Sequence, residues 1–389
     1  MKPSSLLEKA RKNIFDFGCG DASDVVAKLN LQHGLGKVMW VLGSKGIDSR
    51  DVVAVTTPDS GITRNKERWQ AGFSYGCLIR WPSGKETGKY FAFPQIKPNA
   101  CGMLVAKIKD IPLISDLCDK LHAIDEKGLR IKGSKIKLNV GVSNHFIELC
   151  RVSESSTSGL REGDAVAIIH TSPSECKDML YNFNSWQSKG GTWEETPLGT
   201  LFVLEDDVAK EYLKVYQEVE EFSFAKRKIL ADRLFKDFEI ISNPTHQGLF
   251  GDNEARLGLY QFNNEDELLP VTFRWDINVY LMKPKENISE EILSENGFVS
   301  EHNRSTLKGL NVLPHGGGYQ IPFKAQGWRV MKNGSKNLFS NHNGKNEFVF
   351  SSPSEIPYHY RGLEIIEKIE ELKLATMAAK LRQEYTLKY

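Results

Sequence analysis

Short apolar runs bounded by glycine, proline or polar clusters recur along the chain, and a few longer stretches repeat their apolar residues every three to four positions. The short runs predict strands at 51–57, 72–81, 90–95, 104–108, 135–140, 164–170 and 238–241, and across much of 252–285. The runs 72–81 and 90–95 flank Pro82-Ser83-Gly84-Lys85-Glu86-Thr87-Gly88 and so predict a hairpin. The run 51–57 ends in Pro58-Asp59-Ser60-Gly61, which predicts a turn. Helices are predicted over 110–126, 206–235, 289–296 and 362–383. In the longest, Val208, Tyr212, Val215, Val219 and Phe222 form a packing stripe; in the last, Ile365, Ile369, Leu372, Ala375 and Ala379 do. Residues 1–50 mix short helical stretches with glycine turns and stay unassigned.

One strand-like run breaks its own pattern. Within Gly141-Val142-Ser143-Asn144-His145-Phe146-Ile147-Glu148-Leu149, an amide, an imidazole and a carboxylate fall within five positions. Burying them costs free energy unless each finds a partner, so this stretch is expected to wall a site. Other histidines share the setting: His170 ends the run 164–170, His246 follows 238–241, and His315 stands before Gly316-Gly317-Gly318. Cys101 lies between small residues at the start of a strand. Each residue alone has a plainer reading: a hydrogen-bonded core histidine, an inert buried thiol, a turn aspartate at Asp59, a flexible glycine loop. Together Cys101, His145, His170, His246 and His315 make a set that soft-metal chemistry can use, and glycines let backbone amides approach a phosphate. No local spacing such as H-x-x-x-H ties them, so their convergence is an expectation about the fold.

Composition narrows the partners. With 389 residues, 40% of them hydrophobic, the chain can bury a large core, and length alone allows two or three domains. Lys and Arg number 51 against 50 Asp and Glu, a formal charge of +1, so a polyanion must be gripped by a local patch. The six scattered cysteines suit a reducing cytoplasm, and no signal-like or membrane-spanning apolar run is visible. A cytoplasmic protein is expected.

The ordered motifs carry a resemblance. Pro58-Asp59, Cys101-Gly102, Asn144-His145-Phe146-x-Glu148, His170-Thr171, His246, His315-Gly316-Gly317-Gly318, Glu355-x-Pro357 with Tyr360, and Lys388 together resemble the RtcB family of RNA-splicing ligases over most of the chain. The resemblance implies a single α+β domain over 1–389, with mixed and antiparallel sheets and peripheral helices around a central metal cleft. It implies Mn²⁺ held by Cys101, His145, His170 and His246, and His315 as the nucleophile that takes GMP from GTP. Asn144, Glu148, Gly316, Gly318, Tyr360 and Lys388 would bind the nucleotide. The partners implied are RNA ends, a 3′-phosphate or 2′,3′-cyclic phosphate and a 5′-hydroxyl, as in tRNA processing and RNA repair. Manganese comes from the resemblance, because thiolate and imidazole donors by themselves favour zinc.

This chain departs from the family pattern at four places. The carboxylate expected three residues before the bridging cysteine is Pro98, which predicts fewer than two bound ions unless Asn99 or Asp59 compensates. Tyr319 stands where an arginine usually ends the histidine-glycine motif, and Ser172-Pro173-Ser174-Glu175 replaces a glycine-rich loop with arginine. The histidine expected after Pro58-Asp59 gives way to Arg64-Asn65-Lys66-Glu67-Arg68, whose basic residues are expected to contact RNA or to form an exposed charged loop. Two other functions fit these losses: a metal-dependent phosphoesterase acting on RNA ends, and a non-catalytic RNA-end binding protein. Retention of His315 and Lys388 favours the ligase.

Overall fold

The computed structural model describes residues 2–389 except 132, 263–265, 287, 299, 323–326, 335 and 343–345. At its centre is a mixed sheet of 12 strands. In chain order they are β1 (Ile14–Asp16), β2 (Val53–Gly61), β3 (Tyr75–Arg80), β4 (Cys101–Ile108), β5 (Phe146–Ser155), β6 (Ala165–Thr171), β7 (Phe238–Ser242), β8 (Thr245–Phe250), β9 (Glu254–Leu257), β10 (Leu269–Val271), β11 (Val279–Pro284) and β12 (Ala375–Leu387). Across the sheet the order is β1-β2-β3-β9-β8-β4-β6-β5-β12-β11-β10, and β7 also pairs with β4. The β1–β2 pair is parallel; the other ladders of this sheet are antiparallel. The α+β class and the peripheral helices are as expected.

Alternation along each strand decides which side chains face which layer. In the half built on β2 and β3, Ala54 and Ile79 pack beneath Leu31, Leu35 and Val38 of helix Ala22–Ser44. Val53, Val55 and Leu78 point the other way, toward Ile365 and Ile369 of helix Glu364–Glu371. In the half built on β4, β5 and β6, Leu104, Ala106, Leu149 and Ile169 meet helices Ile114–Lys127 and Asp206–Leu234. Met103, Val105, Val152 and Ile168 form a separate inner core with Val279 and Leu381. Each large apolar side chain buried this way contributes about 1.5–3 kcal/mol, and a one-residue slip would exchange the faces, so the register is strongly held.

Several local expectations change. Residues 1–50 contain helix Pro3–Lys12, β1 and helix Ala22–Ser44, whose first turn is capped by the Asp21 carboxylate accepting from Asp24 N–H. The predicted hairpin over 72–95 does not form: β3 pairs with β2 and β9, while Phe91–Ala92 pairs with Leu201–Glu205. The stretch between them holds a helical turn, Gly84–Thr87, which Asp252 ties down by accepting from Ser83 Oγ and Gly84 N–H. Pro58-Asp59-Ser60-Gly61 is not a terminal turn but the end of β2, where an irregularity against β3 absorbs a proline that has no N–H to donate. Of the predicted strand 135–140 only Ser134–Lys135 is extended with a partner, and the strand carrying Glu148 begins at Phe146, with His145 in the turn before it.

The largest revision lies near the C-terminus. Helix Glu364–Glu371 stops early, Lys373 takes a left-handed conformation at φ 53°, and Ala375–Leu387 is a strand between β5 and β11. Its alanines and long polar residues favour helix locally, but pairing on both sides outweighs that propensity. The stripe of helix Asp206–Leu234 packs as expected, with Tyr212 and Val219 buried. Among the described residues, no helix is long and apolar enough to cross a membrane.

Candidate metal centre and cleft

Strand alternation carries polar side chains onto the inner core's own face. Cys101 precedes Met103 and Val105 on β4, His170 follows Val166 and Ile168 on β6, and Glu148 alternates with Cys150 and Val152 on β5. These polar residues extend the columns of the inner core at one end, and no strand can turn them outward without also turning out its apolar residues. His145 directly precedes β5, and His246 enters from β8, where the register against β4 shifts between Thr245 and Gln247.

The expected cysteine and histidines converge. Cys101 Sγ lies 3.1 Å from His170 Nε2 and 3.3 Å from His145 Nε2. Ligating atoms of Cys101, His170 and His246 all fall within 4.8 Å of one another. A tetrahedral shell with bonds of about 2.0–2.3 Å has edges of roughly 3.5 Å, close to the two separations from Cys101. All four residues are buried, and neither ring nitrogen of His246 has a hydrogen-bond partner among the described residues, a costly state for an interior imidazole. Burial pushes the Cys101 thiol up to about 12, holds His145 down at about 4, and keeps His170 and His246 well below the ordinary histidine value. Neutral imidazoles offer lone pairs, and a cation would ionise the thiol that burial keeps protonated. The donor set therefore fits a transition-metal ion.

His145 stands apart from the mutually close trio and approaches it at Cys101. On that side Pro98, three residues before Cys101, has no ligand to offer. Asn99 Oδ1 accepts a 2.9 Å bond from Tyr181 Oη, and Asp59 faces His315.

His315 is held differently. Its Nδ1 lies 2.9 Å from Gly258 O and 3.2 Å from Asp59 Oδ2. A carbonyl oxygen can only accept, so the neutral ring carries its proton on Nδ1 and its lone pair on Nε2. Tyr75 Oη lies 3.4 Å from Nε2 and can donate to it. Asp59 is fully buried and also accepts from Thr57 Oγ1 at 2.7 Å. The His315 ring stacks on His246 with centroids 4.3 Å apart. Gly258, at φ 91°, brings its carbonyl here; a Cβ on it would collide with the Tyr75 ring. Gly318, at φ 62°, passes so close to the Asp59 carbonyl that a side chain could not fit, so the glycine loop is tightly packed rather than loose.

These groups open on a cleft of about 1160 Å³. Asn144, Glu148, Gly316, Gly318, Tyr360 and Lys388 all line it, with Cys101, His145, His170 and His315 deeper in; His246 lies beneath, fully buried. Glu148 accepts from Thr386 Oγ1 at 3.0 Å, its second oxygen has no partner among the described residues, and burial raises its carboxyl to about 7. The Tyr360 ring lies 5.0 Å from that of Tyr319, and Lys388 Nζ is 3.4 Å from Ser143 O. Glu175 turns inward to a 3.0 Å ion pair with Lys226.

The basic stretch 64–68 is not one exposed loop. Arg68 belongs to helix Lys66–Ala71, is buried, and donates through Nε to Ile96 O at 2.9 Å, while Arg64 and Lys66 stay exposed. Sequence reasoning missed Tyr75, Gly258 and the cleft cations Lys137 and Lys177. Gly258, a lone glycine inside an apolar strand run, was the one available signal of close backbone approach. No protein-family model matches this chain, and no curated protein does, so its chemistry rests on its own geometry.

Proposed function

We propose that the chain is a GTP- and Mn²⁺-dependent RNA ligase that joins a 3′-phosphate or 2′,3′-cyclic phosphate end to a 5′-hydroxyl end through a guanylylated His315. The observation that carries this reading is the pinned His315 ring: Gly258 O and Asp59 hold Nδ1–H, leaving the Nε2 lone pair at the wall of the cleft. A fixed, neutral imidazole is a competent nucleophile toward phosphorus. Nε2 attacks the α-phosphorus of GTP; the N–P bond forms, the bond to the β-phosphate oxygen breaks, and pyrophosphate leaves. The imidazolium charge created is balanced by Asp59, as in other base and orienting-acid pairs. A 2′,3′-cyclic phosphate is first opened by water, which adds to phosphorus as the bond to O2′ breaks and O2′ takes the proton; the 3′-phosphate oxygen then displaces the histidine to take GMP, and a 5′-hydroxyl displaces GMP to close the strand, losing its proton. A metal ion at Cys101, His145, His170 and His246 supplies neutralisation of phosphate charge when bound. Glu148 suits guanine, since a carboxylate accepts from the ring's N–H groups, and Lys388, Asn144 and Tyr360 would close on the same nucleotide.

Incubation with α-labelled GTP and Mn²⁺ tests this. Label should appear on the protein in an acid-labile bond, and His315→Ala should abolish it. Asp59→Asn should slow labelling by about 10–100-fold, less than the roughly 10⁴-fold loss in a protease triad, because Gly258 O still holds the tautomer. Absence of label with every divalent ion would end the ligase reading. Pro98 and the missing carboxylate favour, as the second reading, a single-metal phosphoesterase on RNA ends, which would release phosphate from a 3′-phosphorylated RNA without GTP.

A further inference from the structure

Trp275 is 79% exposed, the most open of the large apolar side chains among the described residues, and it lines the cleft. Core packing cannot explain an indole left in water. Nor is it on a loose tip: Ile277 N–H donates to Arg274 O at 3.0 Å to close the turn, and Arg274 Nη1 reaches Tyr360 O at 3.4 Å. Just before the turn, Thr272 N–H donates to His315 O at 3.0 Å and Gly317 N–H to Thr272 O at 3.2 Å. A short, bonded path thus fixes the backbone that carries the indole relative to His315.

The same cleft is basic although the chain as a whole carries only +1. Arg64, Arg68, Lys137, Lys177, Arg274 and Lys388 line it against Glu148 and Glu384; Arg68 is buried on backbone carbonyls, Arg274 pairs with Asp276 at 2.7 Å and Glu384 with Arg382 at 2.8 Å, so the basic character rests on Arg64, Lys137, Lys177 and Lys388. A flat exposed indole beside local positive charge matches a polyanion whose repeating units each present a π-face. We propose that Trp275 is a stacking platform for a nucleobase at the reacting end of single-stranded RNA, with the lysines of the cleft on its phosphates. This rests on reading the cleft as an RNA-end site.

Fluorescence anisotropy of a short 5′-labelled RNA with a 3′-phosphate, added to the full-length protein, tests the platform. Trp275→Ala should weaken binding about tenfold and Trp275→Phe should recover most of the loss, since stacking needs a ring rather than a hydrogen bond. An RNA without its terminal base should bind the wild type about tenfold less tightly and be indifferent to Trp275→Ala. Both variants should unfold at the wild-type temperature because the side chain is outside the core. Equal RNA affinity of wild type and Trp275→Ala overturns the proposal. So does a rise in KM for GTP in the labelling reaction that matches the loss of RNA affinity, which assigns the ring to guanine. A protein that takes no label from GTP yet loses RNA affinity on Trp275→Ala refutes nucleotidyl transfer and supports the platform.

Discussion

The cleft has a floor and a rim built on opposite terms. On the floor, Cys101, His170 and Glu148 occupy strand positions that the inner core would otherwise fill with apolar residues, and each is buried. On the rim, Arg64, Trp275 and Tyr360 are exposed on turns or short strands. A floor group must offset its own desolvation through a partner or an ion, whereas a rim group costs little to present. Floor substitutions should therefore act decisively and rim substitutions by increments.

Cys101→Ala should have the largest effect. It removes the thiolate nearest to both His145 and His170, so metal content by elemental analysis should fall to background from a wild-type value below two ions per chain. Equal metal in the two proteins would erase the distinction between floor and rim.

Glu148→Gln comes next. The folded carboxyl titrates near 7 against an ordinary 4.5, so it stabilises the fold fully below 4.5, and that contribution is lost as pH rises through about 7. Near pH 8 the glutamine variant should be more stable than wild type by about 3 kcal/mol, and near pH 4 the two should converge. Urea denaturation at both pH values measures the gap; a wild type with flat stability between them would mean that Glu148 has a cation beside it.

The smallest change is expected at the rim. Lys177→Ala should reduce the slope of log RNA affinity against log salt by about 1 unit without altering stability. Arg64, which leans over the Tyr358 ring at 5.4 Å, should change the slope less, having already partly committed its charge. An unaltered slope for Lys177→Ala would take that lysine off the nucleic-acid path.

The floor was legible because polar residues inside apolar strand runs announce a conflict that only a site resolves. His170 at the end of 164–170 is the clear case: alternation set its face, and the structure brought Cys101 within 3.1 Å. The rim was less legible. Lys137 and Trp275 lie in irregular segments and Lys177 opens the five-residue helix Lys177–Tyr181, too short to show a period, so their grouping depends on how distant segments meet. Arg68 looked like a surface cation because its neighbours are charged, but the helix that starts at Lys66 rotates it inward onto backbone carbonyls. The stretch 362–383 misled for another reason: alanine-rich alternation satisfies a helical stripe and a buried strand equally, and long-range pairing decided between them.

That strand also has three unlike segments. Ala375–Ala378 is laddered to β11 alone and Ala379–Leu381 to both β11 and β5, whereas 382–387 is laddered to β5 alone, with its other edge toward the cleft. Local opening should therefore be costliest in the doubly laddered middle segment and cheaper in the last. The wall that bears Thr386 and leads to Lys388 thus exchanges its amides before the middle of the same strand does. A molecule that fills the cleft would slow exchange there while leaving Ala379–Leu381 unchanged, so occupancy is written in one segment of a single strand.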